Sequence, residues 1–157
     1  MNISIITQLL LVIAILTTGI VYGTNVFFAI VGKKAAQLSK DSSIADVSGH
    51  THLVADKRMP PVGISGMIST IAFIVLKGFS HTPAILAACA FLCLFSHLVL
   101  YLTIAKPINT KMSAAAIKNI TLPDIRQLQQ KWDSIIYIRA IILTLAMVTL
   151  IMACLNL

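Results

Sequence analysis

Two ionisable side chains, His97 and Arg139, sit inside apolar runs of this chain. Charge is costly in a membrane helix, so such groups usually face a protein interior or a water-filled cavity, and function is their default reading. A histidine placed there can take a proton, and an arginine can hold the anion that results. A second constellation lies in the polar stretch from Gly49 to Gly66, which contains His50, His52, Asp56, Lys57, Arg58 and Pro60-Pro61. His52 and Asp56 are four residues apart, so a helical approach places them on one face. There the carboxylate would fix the imidazole tautomer and raise its basicity. His50 would point nearly the opposite way. The structural alternatives are plain: Arg139 snorkels to the headgroups, His97 bonds across helices, and Lys57 and Arg58 attract anionic lipid.

Cys89, Cys93, His97 and Tyr101 recur every fourth residue. Such a stripe spreads over about 18 Å of helix at ~1.5 Å per residue, so its members cannot all reach one ion. Cysteine also serves as a small apolar residue, and no metal site is expected. A bis-histidine haem site is disfavoured, because no second histidine lies at the depth of His97. No cofactor is named by the sequence. Phosphate-binding loops, nucleophile elbows and metalloprotease helices are absent.

The elements that must position these residues follow from composition. The chain has 157 residues, is 58% hydrophobic and only 11% charged, and contains no glutamate. That fits one membrane-embedded domain rather than a soluble one. Its net charge of +7 comes from lysines and arginines between apolar runs, with no nucleic-acid-binding pattern, so nucleic acid is not an expected partner. Four runs approach or exceed the roughly 20 residues a spanning helix needs. They predict helices over 3–31, 61–79, 83–105 and 123–156, the first retained rather than cleaved as a signal. The expected fold is all-α, a membrane-embedded four-helix bundle.

Lys33, Lys34, Lys40, Lys57 and Arg58 precede the second helix, and Lys106, Lys111, Lys118, Arg126 and Lys131 precede the fourth run, against Lys77 alone between the second and third. By the positive-inside rule both long loops are cytoplasmic and both termini lie on the non-cytoplasmic side. At ~1.5 Å per residue, Asn25, His97 and Arg139 then fall about 10–13 Å inside the cytoplasmic face, with Tyr101 and Tyr137 near 8 Å. Four separate segments thus place polar groups in one layer. Gly19-x-x-x-Gly23 and Gly63, Gly66 and Ser69 offer small faces for close helix packing.

Several short motifs resemble the anthrone oxygenase-like family of small four-helix membrane proteins. They are Thr18-Gly-Ile-Val-Tyr-Gly-Thr-Asn-Val-Phe27, Ala55-Asp-Lys-Arg-Met-Pro60, Lys106-Pro-Ile-Asn109, and the spacing from Trp132 to Arg139. The resemblance covers about residues 10 to 155. It implies a four-helix membrane fold and, from the fungal members, oxidation of anthrones by molecular oxygen without a conventional cofactor. It supplies no catalytic residue set.

Together these readings predict an oxygenase or oxidoreductase for a hydrophobic anthrone-, phenol- or quinone-like molecule in a bacterial cytoplasmic membrane. His97 and Arg139 are the expected catalytic groups. Asn25, Tyr101, Tyr137, Trp132, His52, Asp56, Arg58 and Asn109 are expected to line the substrate site. The alternative is a non-enzymatic membrane subunit or small-molecule carrier in which the polar layer is structural. Oligomeric state is left open, a homo-oligomer included.

Overall fold

The computed structural model describes residues 3–157. Among them are four helices long and apolar enough to cross a membrane: α1 (Ile3–Leu38), α2 (Asp41–Lys77), α3 (Thr82–Ile117) and α4 (Ile125–Leu155). The protein is all-α, consistent with a four-helix bundle. Each helix except the last contains one π turn, at Phe28–Gly32, Ile44–Ser48 and Tyr101–Ala105.

Helix ends follow local chemistry. Gly78 takes φ +80° after α2, and its N–H reaches the Ile74 carbonyl at 2.9 Å. Glycine meets this left-handed geometry without the cost a Cβ imposes. Asn119, at φ 53°, ends α3 in the same way. The Asn119 and Ile120 N–H groups close on Ala116 and Ala115, a Schellman arrangement. Between α1 and α2 only Ser39 and Lys40 leave the helical path. Arg126 of α4 fixes that break, donating to the Ser39 carbonyl at 2.9 Å and to the Asp41 carboxylate. Lys111 donates to Asp124 at 2.6 Å, which holds that exposed carboxyl below its usual range.

The helices differ from their sequence-derived limits at the polar ends. α1 runs to Leu38 rather than 31, α2 begins at Asp41 rather than 61, and α3 continues to Ile117 rather than 105, while α4 starts at Ile125 rather than 123. The two long loops are therefore helix. Pro60 and Pro61 lie inside α2 and do not open it. They remove two backbone donors, so the carbonyls of Asp56 and Lys57 lose their helical partners.

The chain divides into two compact units, each drawn from all four helices. Unit 1 comprises Met1–Gly23, Pro61–His97 and Ile141–Leu157. Its core joins Leu11 and Ala14 of α1, Phe73 and Ile74 of α2, Ala87 and Ala90 of α3, and Leu150 and Ala153 of α4. Alanine is the small residue of this seam, where it lets backbones approach. Gly19 and Gly23, by contrast, have open space or ordinary contact where a Cβ would stand, so they do not mark a close approach. Gly66 does: a Cβ there would meet Thr17 Oγ1 at 2.8 Å. Large aliphatics face outward, Leu16, Val75 and Leu92 among them.

Unit 2 comprises Thr24–Pro60 and Leu98–Ala140. Its core gathers Ala29, Ile44, Ala45, Ala105, Ile108, Met112, Ile125, Trp132, Ile135 and Ile136. α2 and α3 touch backbone to backbone at Gly49. A Cβ on that residue would lie 2.6 Å from Ala116 Cβ and 2.9 Å from the Met112 carbonyl oxygen. Ser113 Oγ seals the crossing with a 3.1 Å bond to the Gly49 carbonyl. Gly49→Ala should therefore lower the melting temperature, by overpacking worth about 1–3 kcal/mol, whereas Gly23→Ala should be neutral or mildly stabilising. Equal melting temperatures for the two variants would show that the crossing tolerates a methyl group.

Candidate functional site

The polar interior of unit 2 is organised around Asp56 and Trp132. Asp56 lies on the same face of α2 as His52, as the four-residue spacing predicts. Its Oδ1, however, is bonded from α3: Tyr101 donates through its hydroxyl at 2.9 Å and Asn109 through Nδ2 at 2.8 Å. His52 is not a hydrogen-bond partner of this carboxylate, although the two act on each other electrostatically. The expected His52–Asp56 dyad is thus replaced by a carboxylate that ties α2 to α3. The π turn beginning at Tyr101 sets that side chain and the Asn109 amide on one oxygen.

Trp132, on α4, is buried with only 5% of its surface exposed. Three side chains surround its ring. Phe28 of α1 meets it edge-on at 5.3 Å, His52 lies at 5.4 Å with a 42° tilt, and the Arg139 guanidinium carbon sits 5.9 Å from the ring centroid. Arg139 is also buried, in electrostatic range of Asp56 and Tyr101. Burial of the arginine inside this cluster replaces the snorkelled placement weighed from the sequence. A guanidinium removed from water is stable only with compensating charge and dipoles, which the Asp56 carboxylate and the aromatic face supply.

Three polar atoms of this cluster are buried without a hydrogen-bond partner: His52 Nε2, Trp132 Nε1 and Asn109 Oδ1. Native interiors rarely leave such atoms unsatisfied, and each exception calls for an explanation. Here they combine an indole donor, an amide acceptor and an imidazole nitrogen that can do either. The Phe28 and His52 rings pack against Trp132 beside them. An oxygen able both to donate and to accept is the chemistry these three atoms match.

Asn25, from α1, is buried in the same unit. Tyr137 is half exposed, with Lys33 Nζ 4.6 Å above its ring. Arg58 is exposed on α2. His97 is partly buried and is the last residue of the α3 segment of unit 1. Cys89, Cys93 and Cys154 are free thiols. Among the described residues no three His, Cys, Asp or Glu side chains come together as metal ligands.

Sequence reasoning passed over Phe28, although it stands one turn after Asn25. It also passed over the buried pair Gln129 and Asp133, joined by a 2.8 Å bond on α4. This pair borders a cavity of about 60 Å³ lined further by Ala36, Gln37, Ile44, Arg126 and Gln130. The i, i+4 spacing of an amide and a carboxylate flanking a tryptophan was the available signal.

No protein-family model, curated protein or solved structure matches this chain.

Proposed function

We propose that this is a multi-pass membrane protein of a bacterial cytoplasmic membrane, acting as an oxygenase or oxidoreductase on a hydrophobic anthrone-, phenol- or quinone-like molecule. The observation that carries the reading is the set of three orphaned polar atoms, His52 Nε2, Trp132 Nε1 and Asn109 Oδ1, beside the packed rings of Phe28 and Trp132. The likeness of the Thr18–Phe27 and Ala55–Pro60 motifs to the anthrone oxygenase-like proteins supports it from a separate direction.

In this reading neutral His52 accepts a proton through Nε2 from the acidic carbon or hydroxyl of the substrate. Trp132 Nε1–H and the Arg139 guanidinium hold the oxyanion that forms, since preorganised donors in a dry site stabilise developing charge. Asp56, fixed by Tyr101 and Asn109, balances Arg139 when the site is empty. For an anthrone, the resulting carbanion is oxidised by dioxygen, and the adduct loses water: anthrone and O2 give anthraquinone and H2O. Asn25, Tyr137 and Arg58 are assigned to positioning around the entrance. His97 is the other candidate base.

The test is oxygen uptake by the purified protein over a panel of anthrones, naphthols and quinols, with mass spectrometry of co-purified small molecules. Uptake with any of them supports the enzyme. Absence of uptake across the panel favours the second reading, a carrier or structural subunit. That reading has its own supporting observation: the doubly bonded Asp56 would serve equally well as a lock between α2 and α3.

Orientation is tested separately. With both termini outside the cytoplasm, a reporter active only in the periplasm should give signal when fused after Leu157. Signal from a cytoplasm-only reporter at that position would reverse the orientation.

A further inference from the structure

All five carboxylates of the chain lie in unit 2, and each one is engaged there. Asp41 holds Arg126, Asp46 holds His50, and Asp124 holds Lys111. Asp56 accepts from Tyr101 and Asn109, and Asp133 accepts from Gln129. Asp56 and Asp133 sit inside the unit, so Asp46 is the one exposed acid not held by a lysine or arginine.

Those cations are Lys34, Lys40, Lys57, Arg58, Lys106, Lys118 and Lys131, all exposed and outside every ion pair among the described residues. They are spread over all four helices and both connections. Following each helix from its apolar run into unit 2, the first exposed cation is Lys34 on α1, Arg58 on α2, Lys106 on α3 and Lys131 on α4. Exposed aliphatic side chains stand in the same segments: Leu38, Val47, Val54 and Ile117. Unpaired basic groups mixed with aliphatics are the composition of a surface that seats in a lipid interface. A nucleic acid would answer the charge but would leave Leu38, Val47 and Ile117 facing water.

We propose that unit 2 docks on anionic phospholipid, its unpaired lysines and Arg58 contacting headgroup phosphates while the exposed aliphatics enter the acyl boundary. Seven unpaired exposed cations against one exposed carboxylate without a lysine or arginine partner, Asp46, make this surface selective for anionic over zwitterionic lipid. The inference rests on the membrane reading and is independent of any oxygenase activity.

The full-length protein in detergent should be titrated with phosphatidylglycerol or phosphatidylcholine, with bound lipids counted by native mass spectrometry. The expected result is at least about tenfold tighter binding of phosphatidylglycerol at low salt, falling toward parity at high salt. Replacing Lys40, Lys57, Lys118 and Lys131 together by Gln should remove most of the preference. Circular dichroism should be unchanged, because these side chains are exposed. Equal binding of the two lipids by the parent, or an undiminished preference in the folded quadruple variant, overturns the proposal. Should that variant fail to fold, salt decides: a preference insensitive to salt in the parent overturns it. Displacement of phosphatidylglycerol by equimolar single-stranded RNA would likewise overturn it, in favour of a nucleic-acid partner.

Discussion

His52→Gln should leave the protein folded and lower oxygen uptake by about 10²-fold or more, the usual contribution of a positioned general base. Gln has similar reach and can occupy the space beside Trp132, where the two rings now lie 5.4 Å apart. What it lacks is a nitrogen that can take a proton, which is the role assigned to His52 Nε2. Unfolding is a small risk, since no side-chain hydrogen bond to Nε2 is lost. His97→Gln is the matched comparison. A fall confined to His97→Gln would transfer the base to unit 1 and leave His52 a packing residue. Unchanged turnover in both variants would remove histidine from the chemistry.

The second large effect concerns Trp132, and two substitutions separate its roles. Trp132→Ala removes the ring against which Phe28, His52 and Arg139 pack. Truncating a buried tryptophan costs about 3–5 kcal/mol, here with an arginine left without its aromatic face. A drop in melting temperature on the order of 10 °C is expected in detergent. Trp132→Phe keeps most of the ring contact but deletes the orphaned Nε1–H. It should melt near the parent yet bind substrate more weakly and turn it over more slowly, because one oxyanion donor is gone. Normal turnover in Trp132→Phe would show that the indole N–H holds no substrate oxygen. Normal stability in Trp132→Ala would mean that the unit 2 core does not depend on this ring.

The four apolar runs were legible because hydropathy alone reports them. The start of α4 was legible too, within two residues, from the helical spacing of Ile125, Leu128, Trp132 and Ile135, but the unit 2 ends of α1, α2 and α3 were not, and for α2 and α3 the reason lies in which residues they bury. His52, Asn109 and Ser113 face inward there, so part of the 3.6-residue period is carried by polar side chains and disappears from a hydrophobic pattern. Pro60-Pro61 read as a helix start, since the residues before it were too polar to suggest a continuing helix. Their position inside α2 is a tertiary override of local preference. Among the site residues, Asn25, Tyr101 and Arg139 were nominated by type and depth, His52 and Asp56 by their four-residue spacing, and Trp132 and Asn109 by the motifs they belong to, and these seven fall in unit 2. The pairing of Asp56 with Tyr101 and Asn109 was not legible, because the partners are 45 and 53 residues away in sequence. Gly49 was overlooked for a similar reason: its crowding comes from Met112 and Ala116 on another helix.

The three π turns carry a consequence for how chains of this architecture can vary in length. A π turn is an α-helix with one residue too many, so removing a single residue from it restores ordinary winding and keeps both flanks on their original faces. A deletion elsewhere in the same helix rotates everything beyond it by about 100°, the angular step of one residue. In α3, a deletion between Lys106 and Ile108, just outside the π turn, would swing Asn109 off its face and leave Asp56 with Tyr101 alone. Single-residue gaps among natural descendants of this chain should therefore collect within Phe28–Gly32, Ile44–Ser48 and Tyr101–Ala105. In the last of these, Tyr101 itself should survive and one of the four residues after it should be lost.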